Sequence, residues 1–197
     1  EIIVHLFRIP SFFLPPPSDV FVTLWIYLGP ITEHALITLY ETVGGFALAT
    51  VVGTALGVAL GASPLVHYST YPMLIGFNTV PKSALVPIIV MWFGIGVVPA
   101  IITSFMISFF PIVVNVATGI ATVEPELQDV LRSLGAPKRV ILWKVSIPRS
   151  LPYLFAALKV AITFAFIGAI VSEIVAANSG IGHLTSVASA ELDSALA

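Results

Sequence analysis

The sequence predicts an all-α protein, a polytopic bundle of membrane-spanning helices forming one domain over residues 1–197. Three observations lead there. Hydrophobic residues make up 58% of the chain and charged residues only 9%, against about a quarter charged in an average soluble domain. With a mean hydropathy of +1.06, too little polar surface remains to cover a globule in water. From Ser83 to Val123 there is no Asp, Glu, Lys or Arg, and at 1.5 Å per residue that stretch makes about 60 Å of helix, enough for two crossings of a roughly 30 Å hydrocarbon core. The apolar runs lack period-two alternation and are far longer than the roughly 10 residues of a barrel strand, so helices are expected rather than a barrel.

Four spans are placed at roughly 34–61, 71–92, 98–122 and 151–177 from the apolar runs. Residues 1–9 read as the last turns of an earlier span and 183–197 as the start of a later segment, so both terminal spans are expected to be incomplete. In the first complete span, Gly44, Gly45, Gly53, Gly57 and Gly61 present small faces at four-residue spacing, which points to close helix packing. Before it, "FLPPPSDVFVTLWIYLGP" at 13–30 allows a short helix capped by Ser18 or Asp19. Its Val20, Phe21, Leu24, Trp25 and Leu28 would share one face, as in a helix lying in the membrane interface. A connecting loop with buried aromatics fits the same residues.

Five of the eight basic residues, Arg132, Lys138, Arg139, Lys144 and Arg149, fall between the third and fourth spans. The bias of Lys and Arg toward cytoplasmic loops puts that segment, about 122–150, inside the cell. The segment 13–30 and the turn at 93–99 then lie outside, with Arg8 on the unfavoured side. Within the basic segment, Pro125 suits the first turn of a helix whose Leu127, Val130, Leu131 and Leu134 recur at i, i+3, i+4 and i+7, and Gly135 suits its end. Glu124 and Glu126 match the positive pole of that helix and Arg132 the negative one. Pro137 opens a second short helix carrying Lys138, Arg139 and Lys144 opposite Ile141 and Val145, with Pro148 and Pro152 ending it and starting the next span. Neither helix is long enough to cross a bilayer, so both are expected to lie across its cytoplasmic face. A loop that only sets topology and meets anionic headgroups would need the charges. It would have no use for four aligned aliphatics, which favour a docking element.

Here the sequence resembles a known family. "DVLRSLGAPKRVILWKVSIP", residues 129–148, is similar to the EAA loop of the inner-membrane permease subunits of bacterial ABC importers. In that loop an acidic-Ala-Ala triplet is followed by a Gly after three further residues and by an Ile-x-Leu-Pro end. Asp129, Val130 and Leu131 stand at the triplet, Gly135 at the glycine, and Val145, Ile147 and Pro148 at the end; Val130 and Leu131 replace the small alanines. "LPPPSDVF", "VPKSALVPIIVMWFGIG", "FFPIVVNVATGI" and "EIVAANSGIGHL" resemble further signatures of the nitrate, sulfonate and taurine type of permease, so the likeness covers nearly the whole chain.

The resemblance implies the type I importer fold, usually six spans, and a multi-pass protein of the bacterial inner membrane. It also implies the partners: a second permease copy, forming a homodimer, an extracytoplasmic substrate-binding protein, and an ATP-binding subunit that docks on the loop. The docking residues would be Leu127, Asp129, Val130, Leu131, Leu134, Gly135, Lys138, Arg139, Val145 and Pro148. ATP and Mg belong to the partner ATPase and no cofactor to this chain, which has no GxxxxGK[ST] phosphate loop. The family handles nitrate, sulfonates and taurine and, in related branches, pyrimidine or riboflavin-type vitamin precursors, which "PKSALVP" and "FFPIVVN" resemble.

Three residues are candidates for a translocation pathway. Lys82 lies about 11 residues into its span, where an unpaired ammonium costs at least ~2.5 kcal/mol; Pro81 and Pro87 suggest a broken helix lining a cavity. Snorkelling or contact with a partner subunit is the competing use. Glu173 sits near the outer end of its span, where interfacial exposure and a gating role fit equally. Asn115 is also intramembrane, and interhelical hydrogen bonding is the expected use.

Other classes fare worse. A net charge of −2 and the lack of an interleaved basic and aromatic groove exclude nucleic acid. Without cysteine there is no disulfide and no thiolate metal site, and His34, His67 and His183 have no second ligand at metal spacing, so no metal is expected. An intramembrane enzyme would need a nucleophile and base at depth, but there is no G-x-S-x-G and no Asp within a span. A non-transporting structural subunit is separated from a permease only by mutation.

Overall fold

A computed structural model describes Phe13, residues 15–191 and Leu196. The expected earlier span at 1–9 lies outside the described residues, as does most of the chain beyond 191. The elements in order are α1 (Pro17–Ile26), α2 (Leu28–Ala62), α3 (Pro64–Thr79), a 3-10 turn (Lys82–Leu85), α4 (Val86–Phe93), α5 (Val97–Ala121), α6 (Pro125–Ser133) and α7 (Lys138–Ile141). A π-helical stretch (Leu142–Ser146) then leads into α8 (Ile147–Ala176), and α9 (Ile181–Ala190) follows. No strand occurs among the described residues, so the all-α expectation holds.

Helix α2 begins at Leu28, before the expected 34, because Pro30 falls in its first turn, where the missing N–H has no intrahelical partner to lose. At 35 residues it is about 52 Å long, well beyond a hydrocarbon core. Its glycines set the packing. A Cβ on Gly45, Gly53, Gly57 or Gly61 would run into Ser104, Ile112, Val116 or Ile120 respectively. Each pair is 59 residues apart, so the two helices run parallel in fixed register, with the glycine face of α2 letting the branched side chains of α5 approach its backbone. Ile112, Val113 and Val116 are buried at that seam, where close van der Waals contact replaces the hydrophobic drive that lipid does not supply.

On its other side α5 meets α8 in the opposite sense. A Cβ on Gly168 would strike Ser104, and one on Gly119 would strike Tyr153, so one helix climbs as the other descends. The α8 face is made of alanines, Ala157, Ala161, Ala165 and Ala169, all buried, and Ser104 Oγ donates to the Ala165 carbonyl at 2.8 Å.

These directions decide the topology of the remaining segment. Because α2 and α5 are parallel, the end of α2 at Ala62 and the start of α5 at Val97 lie at opposite ends of the bundle. Residues 64–93 must therefore carry the chain across. They do so as a broken span, Tyr68–Thr79 and Lys82–Phe93 meeting at 80°, rather than as a re-entrant loop. With Leu28–Ala62, Val97–Ala121 and Lys138–Ala176, the described residues make four crossings.

Two expectations need correction. The second hairpin helix does not stop at Pro148; it continues as one 39-residue helix, Lys138–Ala176. The π stretch explains why, since the Ile147 N–H reaches back five residues to the Leu142 carbonyl. That widened turn accommodates one extra residue just before the proline that cannot donate. In α1 no side chain caps the helix; Pro17 at its first turn serves instead. Phe21 and Trp25 are 72% and 81% exposed, so α1 is a helix with apolar residues facing outward and not a loop with buried aromatics.

Candidate functional site

The basic end of the bundle carries the hairpin. Helix α6 starts at Pro125 and carries Arg132 in its last turn. Arg132 Nη1 donates to Asp129 Oδ1 at 2.9 Å and Nη2 to Gln128 Oε1 at 3.3 Å. The helix ends where Gly135 takes φ of +81°. Its N–H bonds the Arg132 carbonyl at 2.9 Å, and the Ala136 N–H bonds the Leu131 carbonyl at 3.0 Å. That pair of bonds is a Schellman closure, which a residue without Cβ enters cheaply. The aliphatic stripe divides in two: Leu127 and Leu131 are half-buried against the bundle, while Val130 and Leu134 are 56% and 77% exposed. Asp129, Lys138, Arg139 and Pro148 are also exposed, and Val145 is half-buried in the π stretch.

The hairpin is tied to α8 by an ion pair between Arg149 and Glu124. The Glu124 carboxyl is held below its ordinary range, first by a backbone hydrogen bond and then by the Arg149 guanidinium. Both side chains are about half exposed, so this pair orients more than it stabilises.

The opposite end holds a buried polar cluster that the sequence does not announce as one. Glu173 is 1% exposed, which removes the interfacial-exposure reading. Its Oε1 accepts from Thr38 Oγ1 at 2.6 Å and its Oε2 from the Gly182 N–H at 2.6 Å. Thr38 Oγ1 accepts in turn from the Ile181 N–H at 2.8 Å, and His34 Nδ1 accepts from the Gly180 N–H at 2.8 Å. The N-terminus of α9 is thus clamped to α2 by His34 and Thr38 and to α8 by Glu173, which satisfies backbone donors that would otherwise be orphaned. Gly180, at φ of +100°, lacks room for a Cβ because the Glu173 side chain fills it, and Gly182 lacks it because the Ile170 carbonyl and the Glu173 side chain do. That is the physical content of "EIVAANSGIGHL".

Glu41, also 1% exposed, lies against the Glu173 carboxyl, and its Oε2 has no hydrogen-bond partner. Sequence reasoning passes over it, although a carboxyl inside an apolar run is as readable a signal as Lys82. His34 and His183, scattered in the sequence, come within 6.3 Å between ring centroids. No group of three metal-ligating side chains forms among the described residues.

Lys82 sits at the elbow of the broken span, where Pro81 and the 3-10 turn interrupt the helix as the prolines suggested. Its Nζ donates to the Asn78 carbonyl and Oδ1 at 3.1 and 2.9 Å. Asn115 does not bridge helices; its Nδ2 donates to the Pro111 carbonyl at 2.8 Å within α5, a local acceptor closer to hand than any neighbouring helix supplies. A second intramembrane cation, Lys159, is exposed on α8 and was equally legible as a lone charge in an apolar stretch. The structure therefore separates the three pathway candidates: Glu173 belongs to the clamp, Asn115 to its own helix, and Lys82 to the elbow.

Four crossings, an elbow in one of them and a basic hairpin offering exposed aliphatics define a polytopic helical membrane protein. The chain belongs to the family of binding-protein-dependent transport system inner membrane components, whose model matches residues 49–197. It is 30% identical over 175 residues to the formylaminopyrimidine transport permease protein of Halalkalibacterium halodurans, covering 88% of this chain and 70% of that one. It is 32% identical over 195 residues to the riboflavin transport system permease protein of Chloroflexus aurantiacus, covering 98% and 73%, and 28% identical over 183 residues to the taurine transport system permease protein of Escherichia coli, covering 89% and 66%. It is a multi-pass inner-membrane transporter subunit, and membership places it in an ABC transport system beside an ATPase and a substrate-binding protein.

Proposed function

We propose that this chain forms half of a homodimeric translocation pathway and receives the work of ATP hydrolysis through its basic hairpin. The observation that carries the reading is the exposed pair Val130 and Leu134 on α6, an apolar face held out by the Schellman turn at Gly135 and flanked by Asp129, Lys138 and Arg139. An apolar helix face of that kind enters a groove on a partner, here the ATP-binding subunit, which holds ATP and Mg. The half-buried Leu127, Leu131 and Val145 seat the hairpin on the bundle, with Pro148 exposed beside them, so a push on α6 passes directly into the continuous helix Lys138–Ala176. Orientation by the five basic residues puts the hairpin in the cytoplasm and the Glu173 clamp at the extracytoplasmic end, where the binding protein delivers solute.

The solute belongs to the classes carried by the relatives, a sulfonate or nitrate-type anion or a pyrimidine or riboflavin-type vitamin precursor. Lys82 at the elbow lines its path. The test is Leu134→Asp in cells expressing the whole transporter: the ATP-binding subunit should cease to co-purify while the permease inserts at its normal level. Undiminished co-purification would reject the docking role.

A further inference from the structure

A cavity of about 230 Å³ opens where the end of α2 meets the hairpin. Its polar wall is made by Gln128, Arg132, Lys138, Arg139 and Ser146, and its apolar wall includes Ile120, Ile141 and Leu142; no carboxylate lines it. Arg132 is partly neutralised by Asp129 at 2.9 Å. Lys138 and Arg139 have no ionic or hydrogen-bond partner among the described residues. Three cations around one concavity raise its positive potential and favour an anion between them, which offsets their mutual repulsion. A water occupies about 30 Å³ of liquid, so the space admits a group several times larger.

We propose that this cavity binds a phosphate-bearing anion. A guanidinium offers paired N–H donors that match two oxygens of a tetrahedral phosphate, and an ammonium adds a compact charge beside it. The apolar wall, at the ends of two membrane helices, accommodates the carbon skeleton of a phosphate ester. Two sources supply this chemistry, the headgroup of an anionic phospholipid and a soluble phosphate, and both meet the same side chains. Lys138 and Arg139 also flank the face proposed to meet the ATP-binding subunit, so anion binding is measured on the permease alone and retention of that subunit is read separately.

The test is native mass spectrometry of the purified permease titrated with phosphatidylglycerol, phosphatidylcholine or inorganic phosphate, with melting temperature as a check on folding. Phosphatidylglycerol should be retained where phosphatidylcholine is not. Lys138→Gln with Arg139→Gln should lower its occupancy about thirtyfold, about fivefold per cation removed near an anionic surface, at unchanged melting temperature. Inorganic phosphate binding with the same dependence on the two variants, in place of the lipid, would support the site and assign it to a soluble anion. A fivefold loss on Lys144→Gln, which lies outside the cavity, would overturn it as general attraction to charge. It would also be overturned if neither lipid nor phosphate binds while the Lys138→Gln, Arg139→Gln variant loses the ATP-binding subunit, since the cavity would then be a protein contact.

Discussion

Thr38 and Glu173, 135 residues apart, are joined by a 2.6 Å hydrogen bond in which the threonine hydroxyl donates to the carboxyl. The same carboxyl accepts from the Gly182 N–H, so one side chain links α2, α8 and the start of α9. Removing it leaves the buried Gly182 N–H without an acceptor, at a cost of about 1–3 kcal/mol, while the Thr38 hydroxyl falls back on the His34 carbonyl at 3.2 Å. Glu173→Ala should lower the melting temperature of the detergent-solubilised protein by several degrees and expose the segment 177–182 to protease. Glu173→Gln, which keeps one acceptor oxygen, should lose about half as much. An alanine variant as stable as the parent would mean the clamp does not hold the end of the bundle.

Glu41 makes the reverse case. It lies against Glu173 with an oxygen that nothing donates to, while Glu173 draws its donors from Thr38 and Gly182. Two buried carboxyls in contact cannot both carry charge, so the pair is accommodated by sharing a proton between them. Glu41→Gln keeps the shape and supplies Glu173 with a donor that does not depend on a shared proton, so it should leave the melting temperature unchanged or raise it. A fall comparable to that of Glu173→Ala would show that Glu41 is bonded in a way its geometry does not reveal.

The parallel seam of α2 and α5 predicts a graded response to volume. At Gly57 a Cβ would come within 2.7 Å of the Val116 Cβ and 2.9 Å of the Val113 carbonyl, whereas at Gly29 it would meet nothing within 4 Å. Gly57→Ala should therefore cost about 1–3 kcal/mol as the helices separate, and Gly29→Ala should be neutral or slightly stabilising. Thermal unfolding of the two variants side by side measures the difference.

That seam was legible in the sequence because the glycine spacing of four is a property of one helix alone. So were the four crossings, the break near Pro81 and the Schellman end at Gly135, each of which rests on local chemistry. The clamp was not legible as a clamp, because His34, Thr38 and Glu41 acquire meaning only when α8 and α9 pack against them. Asn115 looked like an interhelical bridge for the same reason: intramembrane amides seek partners, but Pro111 one turn away satisfied it first. The π stretch before Pro148 is likewise a compromise between the proline and the packing of α8, and nothing in the spacing of prolines alone distinguishes it from a helix end.

Gly135 combines a local and a functional expectation. Its φ of +81° costs about 1–2 kcal/mol for a residue with a Cβ, although no atom lies within 4 Å of where that Cβ would stand. Gly135→Ala should thus loosen the end of α6 without a clash, reducing protection of the Ala136 amide from hydrogen exchange while the spans stay unchanged. Gly135→Asn, whose side chain tolerates this region better, should recover part of the loss.

Lys82 offers the sharpest separation of stability from transport. Its Nζ is bonded only to Asn78, by the carbonyl at 3.1 Å and the side chain at 2.9 Å, and no carboxylate pairs with it among the described residues. An ammonium in a span without a counter-charge costs about 2.5–3.5 kcal/mol on insertion scales, so its presence works against folding. Lys82→Met should leave the melting temperature unchanged or higher, because the apolar side chain suits the elbow and Asn78 can turn to its own helix. If the elbow lines the path, the same variant should cut uptake into proteoliposomes containing the whole transporter by at least about tenfold, the order expected for losing one charged contact worth about 1.4 kcal/mol or more. Lys82→Arg should retain part of it. Full uptake by the methionine variant, at normal assembly, would place Lys82 on a surface the solute never meets.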